Sequence, residues 1–118
     1  MEVGKIQFIV IDSNYPGGMA AFWCEILGTE VDSTVGEGQY VLLKATEGAP
    51  PIAFQRVPEA KQVKNRVHLD LVVEDMAAAA ARIEELGGKA LSDVQELEGN
   101  RWQNMADPEG NEFDIAFG

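Results

Sequence analysis

Apolar and polar positions along the chain fall into two successive cycles of the same patterning. The first cycle opens with Ile6–Ile11, a short apolar run rich in β-branched residues, which predicts a strand. A turn-rich stretch from Asp12 to Gly18 follows. Met19, Phe22, Trp23, Ile26 and Leu27 then recur at helical spacing and define one buried helix face, ended by Gly28 in the position of a left-handed cap. Three strands are expected next, at about 30–35, 39–44 and 52–57. The glycines at 36 and 38 separate the first two, and the segment 48–51 separates the last two. Residues 58–64 read as a connector.

The second cycle repeats this order. Val67–Val73 predicts a strand, Asp75 a helix N-cap, and Met76, Ala79, Ala80, Ile83 and Leu86 an apolar helical stripe ended by Gly87 and Gly88. Strands follow at about 90–95, 101–105 and 112–117, with turns at Gly99-Asn100 and at Asp107–Asn111. Gln55 follows Gly28 by the same interval as Asp114 follows Gly87, so a diverged strand–helix–three-strand repeat accounts for the spacing economically. The expected class is therefore α+β. A single domain spans residues 1–118 and is built of module 1 (about 4–58) and module 2 (about 65–118).

Strand side chains alternate between faces. Burying a large apolar side chain stabilises by roughly 1.5–3 kcal/mol, so the greasier face of each sheet belongs against its helix. That leaves Gln7, Gln55, His68, Asp70 and Asp114 on the other face. The expected arrangement is a curved, cup-like mixed sheet with helices outside, its polar face either lining a hollow or meeting solvent. Tyr40, Trp102 and Asn104 fall on inward positions of the third strands, with the two aromatics equally suited to a core or dimer contact.

Composition narrows the partners. The 118 residues carry a net charge of −11, with 20 acidic against 9 basic residues, a field that repels a phosphate backbone and argues against nucleic acid. No stretch approaches the length of an apolar membrane span, so no membrane partner is expected. A single cysteine, Cys24, permits no intrachain disulfide and fits a reducing, cytoplasmic setting. It reads as structural. Phosphate-cradling loops, zinc cysteine pairs and serine-nucleophile motifs are missing, so no nucleotide cofactor is expected. Asp107–Asn111 is a turn rather than a calcium loop, because its ligand spacing is too short.

Three stretches carry a family resemblance: Phe22-Trp23-Cys24-Glu25-Ile26-Leu27-Gly28, Val67–Val73, and Asp107-Pro108-Glu109-Gly110-Asn111-Glu112-Phe113-Asp114. With Gln7 and Gln55 they resemble the glyoxalase/bleomycin-resistance/dioxygenase (vicinal oxygen chelate) superfamily, in its glyoxalase-like branch. The resemblance implies paired βαβββ modules, a homodimer, and a small-molecule ligand. In metal-dependent members, a divalent metal chelates vicinal oxygens. Carried over position by position, its ligands would be Gln7, Gln55, His68 and Asp114, holding Zn, Ni, Mn or Fe, with His68 and Asp114 catalytic. Gln7, Gln55, Asp70, Tyr40, Trp102 and Asn104 would serve a ligand. Asp114 is shorter than the usual glutamate, and neutral amides bind metals weakly. Two readings therefore stand: a metal-assisted lyase, isomerase or dioxygenase, or a metal-free, bleomycin-resistance-like binder that sequesters a drug.

Overall fold

In the computed structural model, which describes residues 2–117, the chain divides into two units, 1–60 and 61–118. The first contains β1 (Ile9–Ser13), α1 (Pro16–Leu27), β2 (Val31–Val35), β3 (Tyr40–Leu43) and β4 (Ile52–Arg56). Its sheet order is β1-β4-β3-β2, with β1 parallel to β4 and the other neighbours antiparallel. The second contains β5 (Asp70–Val72), α2 (Met76–Glu85), β6 (Lys89–Ala90), β7 (Gln95–Leu97), β8 (Asn100–Ala106) and β9 (Glu112–Phe117). Its order is β5-β9-β8-β6, with β5 parallel to β9 and β7 pairing β8. Two helices on mixed sheets of this kind make the chain α+β.

The core of the first unit forms where α1 packs on β1, β3 and β4. Met19, Phe22 and Trp23 from the helix and Val41, Leu43, Ile52 and Phe54 from the strands are buried. Phe22 and Trp23 meet edge to face, their ring centroids 5.5 Å apart. Gly28 ends α1 at φ 66°, where its backbone N–H reaches the Cys24 carbonyl, so the left-handed cap forms as expected. The helix starts earlier than its apolar stripe suggests. Pro16 and the two glycines behind it form its first turn, because proline at the first helical position has no N–H to leave unsatisfied. Gly18 also lies under the Tyr15 ring, where a Cβ would come within 2.6 Å of Tyr15 Cδ2.

In the second unit α2 packs on β6 and β9. Ile83, Met105, Phe113 and Ile115 are buried there. Asp75 caps α2 as expected, its carboxylate accepting from Ala78 N at 3.0 Å. The β8–β9 turn is closed around buried Asp107. Its Oδ1 accepts from the backbone N–H groups of Glu109 and Asn111, and its Oδ2 accepts from the Asn111 amide. That carboxylate holds the segment as a turn, as the sequence pattern indicates.

Four boundaries differ from the sequence pattern. The first strand is Ile9–Ser13 rather than Ile6–Ile11, since it starts only where Ile9 meets β4 at Ile52. The strand expected over Val67–Val73 shortens to Asp70–Val72 for the same reason, the partner ladder beginning at Asp114. The strand expected at 90–95 is split into β6 and β7, which pair separately with the two ends of β8. The tight turn after β7 is Glu98-Gly99 rather than Gly99-Asn100. Both turn residues have positive φ (51° and 85°), as a two-residue hairpin requires, and Asn100 already pairs with Leu97.

Two outcomes follow. Glutamate is poorly suited to the left-handed region, whereas asparagine tolerates it. Glu98→Asn should therefore raise stability by roughly 0.5–1 kcal/mol, measured by urea denaturation. The connector is tied to β9 by Lys64, 2.6 Å from the Glu112 carboxylate, and by Asn65, which donates to the Glu112 carbonyl. The Lys64 hydrogen bond lowers the pKa of Glu112. A lowered carboxylate adds stability above its unfolded pKa and loses it as pH falls through the folded one. Glu112→Gln should thus cost less than about 1 kcal/mol at neutral pH, and nothing once the medium is acid enough to protonate the wild-type carboxylate, by thermal melts across pH.

Candidate functional site

Parallel pairing of each unit's first and last strands sets the geometry. In the second unit it puts Asp70 opposite Asp114, and antiparallel pairing puts Asn104 opposite Asp114 on the other side. All three share one face of the sheet, because the side chains next to Asp114, Phe113 and Ile115, turn into the core. His68 lies just before β5 and reaches the same spot. Its Nε2 is 3.2 Å from Asp70 Oδ1 and 3.4 Å from Asp114 Oδ2. Asn104 Nδ2 donates to Asp114 Oδ1 at 2.9 Å, which leaves Oδ2 as the atom turned toward the imidazole. Asp114 is the sheltered member, its side chain 15% exposed, against 49% for His68 and 64% for Asp70.

One ligand atom from each of His68, Asp70 and Asp114 lies within 4.8 Å of the others. Donors about 2.1 Å from a shared cation stand about 3.0 Å apart at right angles and about 3.4 Å apart at tetrahedral angles. The two imidazole–carboxylate separations fall at those values. One imidazole nitrogen and two carboxylate oxygens are donor types that zinc, manganese, iron or nickel accept, so the donor set fits a divalent metal in chemistry. Trp102, half-buried, stands opposite Ala116 and so shares this face with Asn104.

In the first unit Gln55, half-buried on β4, is flanked in register by Asp12 on β1 and Tyr40 on β3. Gln7 does not join them. It precedes β1, is exposed and has no partner strand, because the ladder begins at Ile9. Aligning the two units by register matches Gln55 with Asp114, Asp12 with Asp70, Tyr40 with Asn104, and Val10 with His68. Asp12 is therefore the position that sequence reasoning missed. The signal was present, since Val10-Ile11-Asp12 and His68-Leu69-Asp70 are both an aliphatic residue followed by aspartate. Aligned this way, the first unit offers no imidazole at the place of His68.

Cys24 is half-buried on α1. Burial, then the Glu25 and Glu30 carboxylates, push its thiol pKa up, away from the reactive thiolate.

Known proteins resemble the chain throughout its length. A family model described as a glyoxalase-like domain matches residues 8–116. No curated protein matches the sequence. A glyoxalase-related enzyme from Fulvimarina pelagi is similar in structure, with a TM-score of 0.72, 19% identity, and coverage of 98% of this chain and 89% of that one. A glyoxalase/bleomycin resistance protein/dioxygenase family enzyme from Burkholderia phytofirmans PsJN gives 0.71 at 18% identity, covering 94% and 96%. Lactoylglutathione lyase from Agrobacterium tumefaciens gives 0.68 at 17% identity, covering 97% and 93%. No helix among the described residues is long and apolar enough to cross a membrane. With the family model spanning nearly the whole chain, and a βαβ core in each half built on a parallel pair of first and last strands, this protein belongs to the glyoxalase-like domain family of the vicinal oxygen chelate superfamily.

Proposed function

We propose that this protein is a divalent-metal-assisted enzyme acting on a small oxygen-bearing molecule, of the lyase, isomerase or dioxygenase class. The observation that supports it is the His68–Asp70–Asp114 cluster, whose spacing suits one cation. His68, Asp70 and Asp114 would hold the metal. When bound, it supplies Lewis-acid polarisation of substrate oxygens. Asn104 holds Asp114 through Oδ1, so Oδ2 is presented in one orientation. Asp70, the most open of the three, would complete the ligand set from the solvent side. Lining by Trp102 offers a flat apolar surface to the substrate body. The names of similar structures, a lyase and a dioxygenase-family enzyme among them, support chemistry of this class. A cytoplasmic homodimer belongs to the same reading.

A second reading is favoured by the first unit. There Val10 replaces the imidazole and Gln55 the carboxylate. The polar face of the first unit, with Gln55, Tyr40 and Asp12 as hydrogen-bonding groups, suits a metal-free, drug-sequestering protein.

The two readings separate in a thermal-shift experiment on protein purified without chelator, with elemental analysis alongside. A metal bound at a hundredfold excess over its dissociation constant adds about 2.7 kcal/mol. For a chain of this size that is a rise in Tm of roughly 10 °C. Zinc, nickel, manganese or ferrous iron should produce it, His68→Ala and Asp114→Asn should abolish it, and Asp70→Asn should weaken it. Protein without metal, whose Tm none of the four ions moves, sinks the metal reading and leaves the binder.

A further inference from the structure

The first unit carries a concavity away from the polar face that holds Gln55. It is a groove of about 400 Å³ lined by Asn14, Gln39, Arg56, Val57 and Pro58. That volume lies at the small end of the range for small-molecule sites. On β4 the side chains of Phe54 and Arg56 point to one face and that of Gln55 to the other, so Arg56 leaves the sheet opposite the site described above.

Its walls are held by hydrogen bonds that do not use the Arg56 side chain. Asn14 Nδ2 donates to the carbonyls of Val57 and Glu59, at 3.0 and 2.9 Å. Gln39 Nε2 donates to the Arg56 carbonyl at 2.9 Å, and Arg56 N donates to the Gln39 carbonyl at 2.8 Å. Val57 N donates to the Ser13 carbonyl. The segment from Arg56 to Glu59 is therefore anchored through its backbone on both sides.

Of the basic residues, Arg56 is the one that lines the groove. Lys5, Lys44, Lys64 and Arg82 each have a carboxylate within 3.6 Å. Arg56 has none among the described residues, as is also true of Lys61, Arg66, Lys89 and Arg101, and of these five Arg56 alone borders the groove. Its planar fork of five N–H donors, beside the apolar surfaces of Val57 and Pro58, matches a small anion with a short apolar body.

We propose that this groove binds a small organic anion, a carboxylate or a phosphate monoester, through the Arg56 guanidinium. The chain's net charge of −11 repels anions at a distance. Screening limits that repulsion to about 8–10 Å at physiological salt, while the guanidinium acts in direct contact. The occupant is thus small and of low charge, and a polyanion is disfavoured.

The test is a two-dimensional NMR titration of isotope-labelled protein with inorganic phosphate, acetate and benzoate as probes. Saturable shifts should gather on Asn14, Gln39, Arg56 and Val57, with benzoate bound more tightly than acetate. Arg56→Gln, its spectrum otherwise unchanged, should weaken binding at least tenfold. Arg56→Lys should recover part of it, and His68→Ala should leave it intact. Shifts that do not saturate, that spread evenly over the surface, or that survive Arg56→Gln overturn the proposal. Loss of binding in His68→Ala would overturn it too, by moving the anion to the other site.

Discussion

Everything in either unit hangs on one parallel ladder between its first and last strands. Parallel neighbours need a long crossover, and here the helix and the intervening strands provide it. The result is that residues far apart in sequence become lateral neighbours: Asp12 meets Gln55, and Asp70 meets Asp114. Hydrophobic burial holds the ladder in register. Slipping either last strand by one residue would turn Phe54 or Ile115 out of the core and a polar neighbour into it. The same burial that folds each half therefore decides which polar groups stand side by side.

On the same pairing of first and last strands, the two halves are chemically unequal. In the second, an imidazole, two carboxylates and an orienting amide converge on one spot. In the first, the matched positions carry an aliphatic residue, a carboxylate, an amide and a phenol. A cation gains much from the former set and little from the latter, because neutral amides are weak donors. The fold alone does not dictate this difference; it lies in a few side chains on an almost constant frame.

Much of the frame could be read from residue order. The apolar stripe ending at Gly28, the Asp75 cap and the alternation through Glu112–Phe117 all appear as the pattern indicates, because each is a local signal. His68, Asp70, Asp114 and Asn104 were picked out by alternation and family position, and they do gather in the second unit. Gln7 and Asp12 went astray together. Where a strand begins is set by its partner, and the Ile9–Ile52 pairing is not a local property of residues 6–11. The division of the strand expected at 90–95 has the same origin, since β8 is long enough to pair with two short strands in turn.

The contact between Tyr15 and Gly18 has a bearing on how this chain can drift. The ring occupies the space that any side chain at residue 18 would need. The two positions consequently form a linked pair. A side chain at residue 18 can be accommodated only by a shift of the Tyr15 ring, which is 67% exposed and has solvent to move into. The helix start therefore tolerates change at residue 18 at the expense of that contact.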